Sequence, residues 1–182
     1  MWILKLKIKH NCTIGNRCEK YKVISYSLPL GNWSKKGINF TSERHTLEGN
    51  EKNVKEFVQD LKKDKRVTNL EIDKNTLFFI GKSKNKRIPS SFYNSKMFFV
   101  KPVFVNKEGF EFWEIASWNR KILENFLNNL ENQKEIQIQL LSFKNTKLNN
   151  IYFPAIMPQL TDKQKRVFEL AVEEGYYNIP KR

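Results

Sequence analysis

The 182-residue chain contains only two histidines and two cysteines, and three of these four residues fall close together. His10, Cys12 and Cys18 form the cluster, and His45 lies further on. Thiolate and imidazole together suit zinc, or a softer metal such as copper(I). His10-x-Cys12 at the end of a strand, followed by Cys18 in a loop, supplies three ligands, with His45 as the fourth. The spacing matches no standard zinc finger, whose cysteine pairs sit about two to four residues apart. The same residues can be read as two small cysteines in a polar loop beside two unrelated histidines. A Cys12–Cys18 disulfide acting as a redox switch is a special case of the sensing reading.

The second candidate site is a small-molecule pocket in an aromatic hairpin, lined by Phe98, Phe104, Phe112, Trp113 and Trp118. Aromatic residues in hairpins are more often core than pocket. Glu111 and Glu114, set among the phenylalanines, read as the solvent face. Catalysis has no motif behind it. Gly-x-Gly-x-x-Gly, the P-loop, Gly-x-Ser-x-Gly and a carboxylate pair beside a histidine are all missing from the sequence. The expectation is a protein that is not an enzyme, although a small metal-dependent enzyme at the His and Cys residues is the variant reading of that cluster.

The composition fits a folded, basic chain. Apolar residues make up 40%, with 14 Phe, 6 Tyr and 4 Trp, which is enough for a real core and excludes wholesale disorder. No apolar run approaches the ~18 residues a membrane span needs. Lysines interrupt the apolar residues of 1–9, which excludes a signal-peptide core there. Two cysteines make no disulfide framework, so a cytoplasmic location is expected. The net charge is +14, and most of the excess lies in residues 1–93. A basic half favours anionic partners. One alternative function is therefore a nucleic-acid backbone-binding α+β module, in which a sheet bearing lysines and exposed aromatics stacks bases.

The elements that would position these residues follow from periodicity. Trp2, Leu4, Leu6 and Ile8 alternate with Lys5, Lys7 and Lys9, a half-buried strand with a basic outer face. Residues 11–21 read as a loop. Lys22–Leu28 is a strand ended by Pro29 and Gly31, and Ile38–His45 is another. Asn50 caps a helix whose Val54, Phe57, Val58 and Leu61 share one face. Val67–Ile72 and Leu77–Ile80 flank a turn at residues 73–76. Residues 81–96 are the best internal linker. Met97–Val105 and Phe110–Ser117 form a second hairpin. Trp118–Leu130 is a helix with Ile122, Leu123, Phe126, Leu127 and Leu130 on one face, and Glu135–Phe143 is a further strand. The order predicts an α+β fold of ferredoxin/ACT-like antiparallel sheet units with helices on one face, plus a C-terminal helix. Residues 1–150 form the main region, either as two subunits (1–81 and 97–150) or as one composite. Residues 151–160 connect it to a helix over about 161–174. Thr161 is its N-cap, Gln164 sits at the capping-box spacing, and Val167, Phe168, Ala171 and Val172 form its buried stripe.

The tail reads Leu160, Thr161, Asp162, Lys163, Gln164, an apolar helix, then Gly175, Tyr176, Tyr177, Pro180 and Lys181. This order resembles the first helix and following turn of the archaeal bacterio-opsin-activator type helix-turn-helix family. The resemblance covers residues 160–182. It implies a transcription regulator, with residues 161–182 as the first helix and turn of a truncated helix-turn-helix domain. The family continues with two more helices, the second entering the DNA major groove. The expectation is that the recognition helix lies beyond Arg182. Lys163, Lys165, Arg166, Lys181 and Arg182 would then touch DNA phosphates in the intact protein, contacts that position without specifying sequence. The resemblance further implies that residues 1–150 receive a signal or build a homodimer. DNA is then the partner of the full-length protein, and a small molecule or a metal is its effector.

Overall fold

The computed structural model of the protein describes residues 1–83, 94–147 and 162–176. It resolves into two compact units, Met1–Tyr152 and Phe153–Arg182. The first is α+β. Its described strands are β1 (Trp2–Lys9), β2 (Ile24–Lys35), β3 (Ile38–Glu48), β4 (Val67–Asp73), β5 (Thr76–Ser83), β6 (Phe98–Phe99), β7 (Val103–Val105), β8 (Glu111–Ser117) and β9 (Gln137–Asn145). Its helices are α1 (Gly15–Tyr21), α2 (Glu51–Lys62) and α3 (Arg120–Glu131).

All nine strands join one sheet in the order β4-β5-β3-β2-β7-β8-β1-β9, with β6 also pairing β8. Each pairing is antiparallel. The two halves of the chain therefore form one composite. β2 pairs with β7 across the midpoint, and β1 lies between β8 and β9. One core contains Leu4, Leu6 and Ile8 of β1, Phe57 and Leu61 of α2, and Leu123, Phe126 and Leu130 of α3. Each such side chain contributes roughly 1.5–3 kcal/mol of burial.

Several elements differ from the sequence reading. The 11–21 loop contains α1, a short helix whose Cys18 is buried in the same core as Ile14 one turn earlier. That apolar pair, rather than helix propensity, fixes it. Lys22 ends it with φ 54° in the left-handed region. β2 does not stop at Pro29 and Gly31 but absorbs them as a register shift. Lys36 and Gly37, both at positive φ, then form the two-residue turn to β3. Met97–Val105 splits into β6 and β7 around Pro102, which has no N–H to give a ladder. The Asn50 cap follows expectation, and a second asparagine cap joins it. The Asn50 side chain accepts from the Lys52 amide at the start of α2, and Asn119 does the same for Lys121 at the start of α3.

In the second unit the described element is α4 (Asp162–Glu173). Gly175 follows at φ 71°, and the Tyr176 amide bonds back to the Ala171 carbonyl. Val167, Phe168 and Val172, expected as a buried stripe, are exposed, and Ala171 is half-buried. The connector 151–160, Thr161 and most of the 81–96 linker lie outside the described residues, while Gly81–Ser83 end β5.

Candidate functional site

The sheet's core-facing side contains a polar island. Ser25 and Ser27 of β2, His45 of β3 and Glu111 of β8 are all buried. Ser27, His45 and Glu111 border a cavity of about 220 Å³ lined also by His10, Cys12, Glu43 and Arg66, with Phe79, Phe99 and Trp113 among its apolar walls. That volume equals about seven waters at ~30 Å³ each.

His10, Cys12 and Glu111 converge on one side of it. His10 follows the end of β1, Cys12 lies in the turn before α1, and Glu111 opens β8, where it is paired with Ile8. Glu111 Oε1 accepts from the Cys12 thiol at 3.0 Å and sits 3.1 Å from His10 Nε2. The Trp113 indole N–H donates to Glu111 Oε2 at 2.9 Å. The Gly15 amide donates to Cys12 Sγ at 2.8 Å. Two glycines permit this crowding. A Cβ on Gly15 would meet Cys12 Sγ at 3.0 Å, and one on Gly109 would meet the Gly15 carbonyl at 2.7 Å.

Burial disfavours the charged form of both His10 and Glu111, but their mutual attraction outweighs it. The His10 pKa is raised and the Glu111 pKa lowered, so the two form a buried ion pair. Burial pushes the Cys12 thiol well up, and the Glu111 carboxylate adds to this. His10 Nδ1 is buried with no hydrogen-bond partner. Across the cavity, His45 Nε2 lies 2.9 Å from Glu43 Oε2, its Nδ1 lies 3.0 Å from Ser25 Oγ, and its ring stacks on Phe79. Arg66 at the cavity is held by Asp64, with its Nη2 2.8 Å from Oδ2.

The structure redistributes the residues read from sequence. His10 and Cys12 meet, and His45 lines the same cavity against Glu43. Cys18 is fully buried in the apolar core and is not among the cavity residues, and both cysteines are free thiols. Burial pushes its thiol up to about 12. Glu111, expected on the solvent face, is buried at the centre of the cluster. The signal was available: Glu111 and Glu114 are three residues apart, so a strand cannot put both on one face. Glu111 has the parity of Trp113 and Ile115, the apolar side.

The five aromatics expected to line one pocket separate. Trp113 lines the cavity. Phe98 packs on Ile3, Val100 and Ala116, and Trp118 is exposed. Phe104 and Phe112 are paired on the opposite sheet face, with ring centroids 5.6 Å apart. There a cross-strand row runs Lys7, Phe112, Phe104 and Tyr26. Lys7 Nζ lies 4.2 Å from the Phe110 ring centre, and Tyr26 is exposed. Part of the basic face is already paired, since Lys5 and Lys101 both bind Glu114. On α4, Lys163 and Arg166 are exposed and Lys165 is on the same helix, while Lys181 and Arg182 lie outside the described residues.

No family model and no curated protein matches the chain. No described helix is long and apolar enough to cross a membrane.

Proposed function

We propose that the first unit is the effector-sensing part of a helix-turn-helix transcription regulator, and that it receives its effector in the His10, Cys12 and Glu111 cavity. The observation that carries this reading is a cavity beside the apolar core in which the half-buried His10 and Cys12 converge on the buried Glu111. Buried polar and charged groups weaken a core unless fully partnered, and here the His10 Nδ1 is left over. A mainly apolar cavity with a few convergent polar groups is the usual form of a ligand site. The tail that resembles the opening of a helix-turn-helix domain supplies the output side. The site binds an effector rather than turning one over, and DNA and a second copy of the chain are the partners of the intact protein.

The test is chromatin immunoprecipitation of the protein from its native cells, comparing wild type with Glu111→Gln. The expected result is enrichment at discrete promoters that shifts at least several-fold in the variant. Absence of promoter enrichment for the wild type would overturn the regulator reading.

A second reading rests on the row of Lys7, Phe112, Phe104 and Tyr26, which offers stacking surfaces beside a cation for single-stranded nucleic acid. It predicts salt-sensitive binding of generic oligonucleotides that Tyr26→Ala weakens several-fold. No affinity at low salt eliminates it.

A further inference from the structure

We propose that His10, Cys12 and Glu111 bind one divalent metal ion of the zinc class, with three protein donors and a fourth coordination position facing the cavity. The inference deepens the sensory reading and rests on the same cavity. Its chemistry is tested without DNA, so the two can fail separately.

Three donors from three places in the chain have ligand atoms within 4.8 Å of one another. Glu111 Oε1 is their common focus, 3.0 Å from Cys12 Sγ and 3.1 Å from His10. Tetrahedral coordination at zinc's bond lengths separates such donors by about 3.3–3.6 Å. The two Glu111 distances must therefore open by a few tenths of an ångström, and the His10–Cys12 pair, within 4.8 Å, must close by up to about 1.2 Å.

The donor set selects the ion. One imidazole nitrogen, one thiolate and one carboxylate suit zinc and neighbouring divalent transition metals. Magnesium and calcium would need more oxygens, and copper(I) prefers sulfur and nitrogen without carboxylate. Charge balance agrees. Cys12 and His10 each release a proton to solvent as the metal–sulfur and metal–nitrogen bonds form. A neutral imidazole, a thiolate, a carboxylate and a divalent cation then sum to zero in a buried place, where a residual charge would be costly.

Two outer contacts are in place before any ion arrives. The Gly15 amide at 2.8 Å favours thiolate on Cys12, and the Trp113 indole fixes the carboxylate through Oε2 while Oε1 stays directed at the other two donors. Partners of this kind orient metal ligands. The unpartnered Nδ1 of His10 marks a ring whose polar atoms the protein alone does not satisfy. Glu43, His45 and Arg66 line the same cavity. Cys18 is no ligand, because it is sealed in the core.

The experiment uses the full chain, stripped with a chelator and titrated with Co(II) and Zn(II). The expected result is one ion per chain, with the absorption of tetrahedral Co(II) and a sulfur-to-cobalt charge-transfer band that Zn(II) displaces. Cys12→Ser abolishes the charge-transfer band, Glu111→Gln weakens Co(II) at least tenfold, and Cys18→Ser leaves both unchanged. Circular dichroism confirms that each variant is folded, and Cys12→Ser, nearly isosteric, keeps the test valid should Glu111→Gln unfold. Sub-stoichiometric metal, or a charge-transfer band that survives Cys12→Ser or vanishes in Cys18→Ser, would overturn the site. Intact metal binding without any effect on promoter occupancy would overturn only the sensory reading.

Discussion

Replacing Arg17 by methionine removes the buried one of the links between α1 and the end of α2. Arg17 is buried, and its guanidinium donates to four oxygens. Nη1 reaches the Thr13 carbonyl at 2.8 Å and Asp64 Oδ2 at 2.9 Å. Nη2 reaches Asp60 Oδ1 at 2.7 Å and the Asp60 carbonyl at 3.2 Å. Hydrogen bonds to charged groups contribute about 1.5–3 kcal/mol each. Three features of the site reduce the sum. Asp60 keeps Lys20 and Tyr21, Asp64 keeps Arg66, and methionine refills much of the hydrocarbon stem. Arg17 Nε is also buried without a partner, so its removal relieves a cost of about 1 kcal/mol. The expected net loss is about 2 kcal/mol, or roughly 4–8 °C in Tm for a domain of this size. Urea unfolding of wild type, Arg17→Met, Asp64→Asn and the double variant measures it. The cycle should return a coupling of about 1 kcal/mol. An Arg17→Met loss below about 0.5 kcal/mol, or a gain, would show that desolvation cancels the ion pairs, and the reasoning would be wrong.

Four further outcomes are expected. Asp60 and Asp64 have pKa values held well below the usual carboxylate range, by Lys20, Tyr21 and Arg17 in one case and by Arg66 and Arg17 in the other. Their folded-state values lie below the unfolded ones, so their stabilisation is complete above about pH 4 and is lost as the pH falls through the depressed range. Acid unfolding curves should show this loss, with a shallower slope in Asp64→Asn. Gly109→Ala should cost about 2–3 kcal/mol by denaturant titration, because φ is +77° and the new Cβ would lie 2.7 Å from the Gly15 carbonyl. Gly37→Asn, at φ +74° with open space around it, should change stability by less than about 1 kcal/mol. In alkylation followed by peptide mapping at pH 8, both thiols of the native chain should react far more slowly than in urea, with Cys12 ahead of Cys18 because only Cys18 is fully buried. Rapid native labelling of Cys18 would contradict its burial.

Strong local periodicity was readable in this sequence, and long-range placement was not. β1 follows from the alternation of apolar residues with Lys5, Lys7 and Lys9, α2 from its apolar face and the Asn50 cap, and α3 from its apolar face alone, its Asn119 cap having gone unread. The joining of both halves into one sheet depends on β1 pairing with strands more than a hundred residues away, and no local pattern encodes that. His10 and Cys12 stood out because such residues are rare in the chain. Glu111 was hidden because its charge suggested water, while its strand parity pointed inward. Cys18 was grouped with Cys12 by nearness in sequence, although one helical turn separates it from Ile14 and sends it to the core. Glu43 had no signal beyond sharing the parity of His45, two residues on in β3.

The interior position of β1 also orders the assembly of the domain. This strand leaves the ribosome before its neighbours, both of which belong to the later part of the chain, Glu111–Ser117 and Gln137–Asn145. The β2-β3-β5-β4 half is built from hairpins close in sequence and can zip while translation continues. Until β8 has emerged, the nascent chain carries β1 apolar and unpaired, and the interval is the one in which a chaperone or a neighbouring copy has most opportunity to capture it.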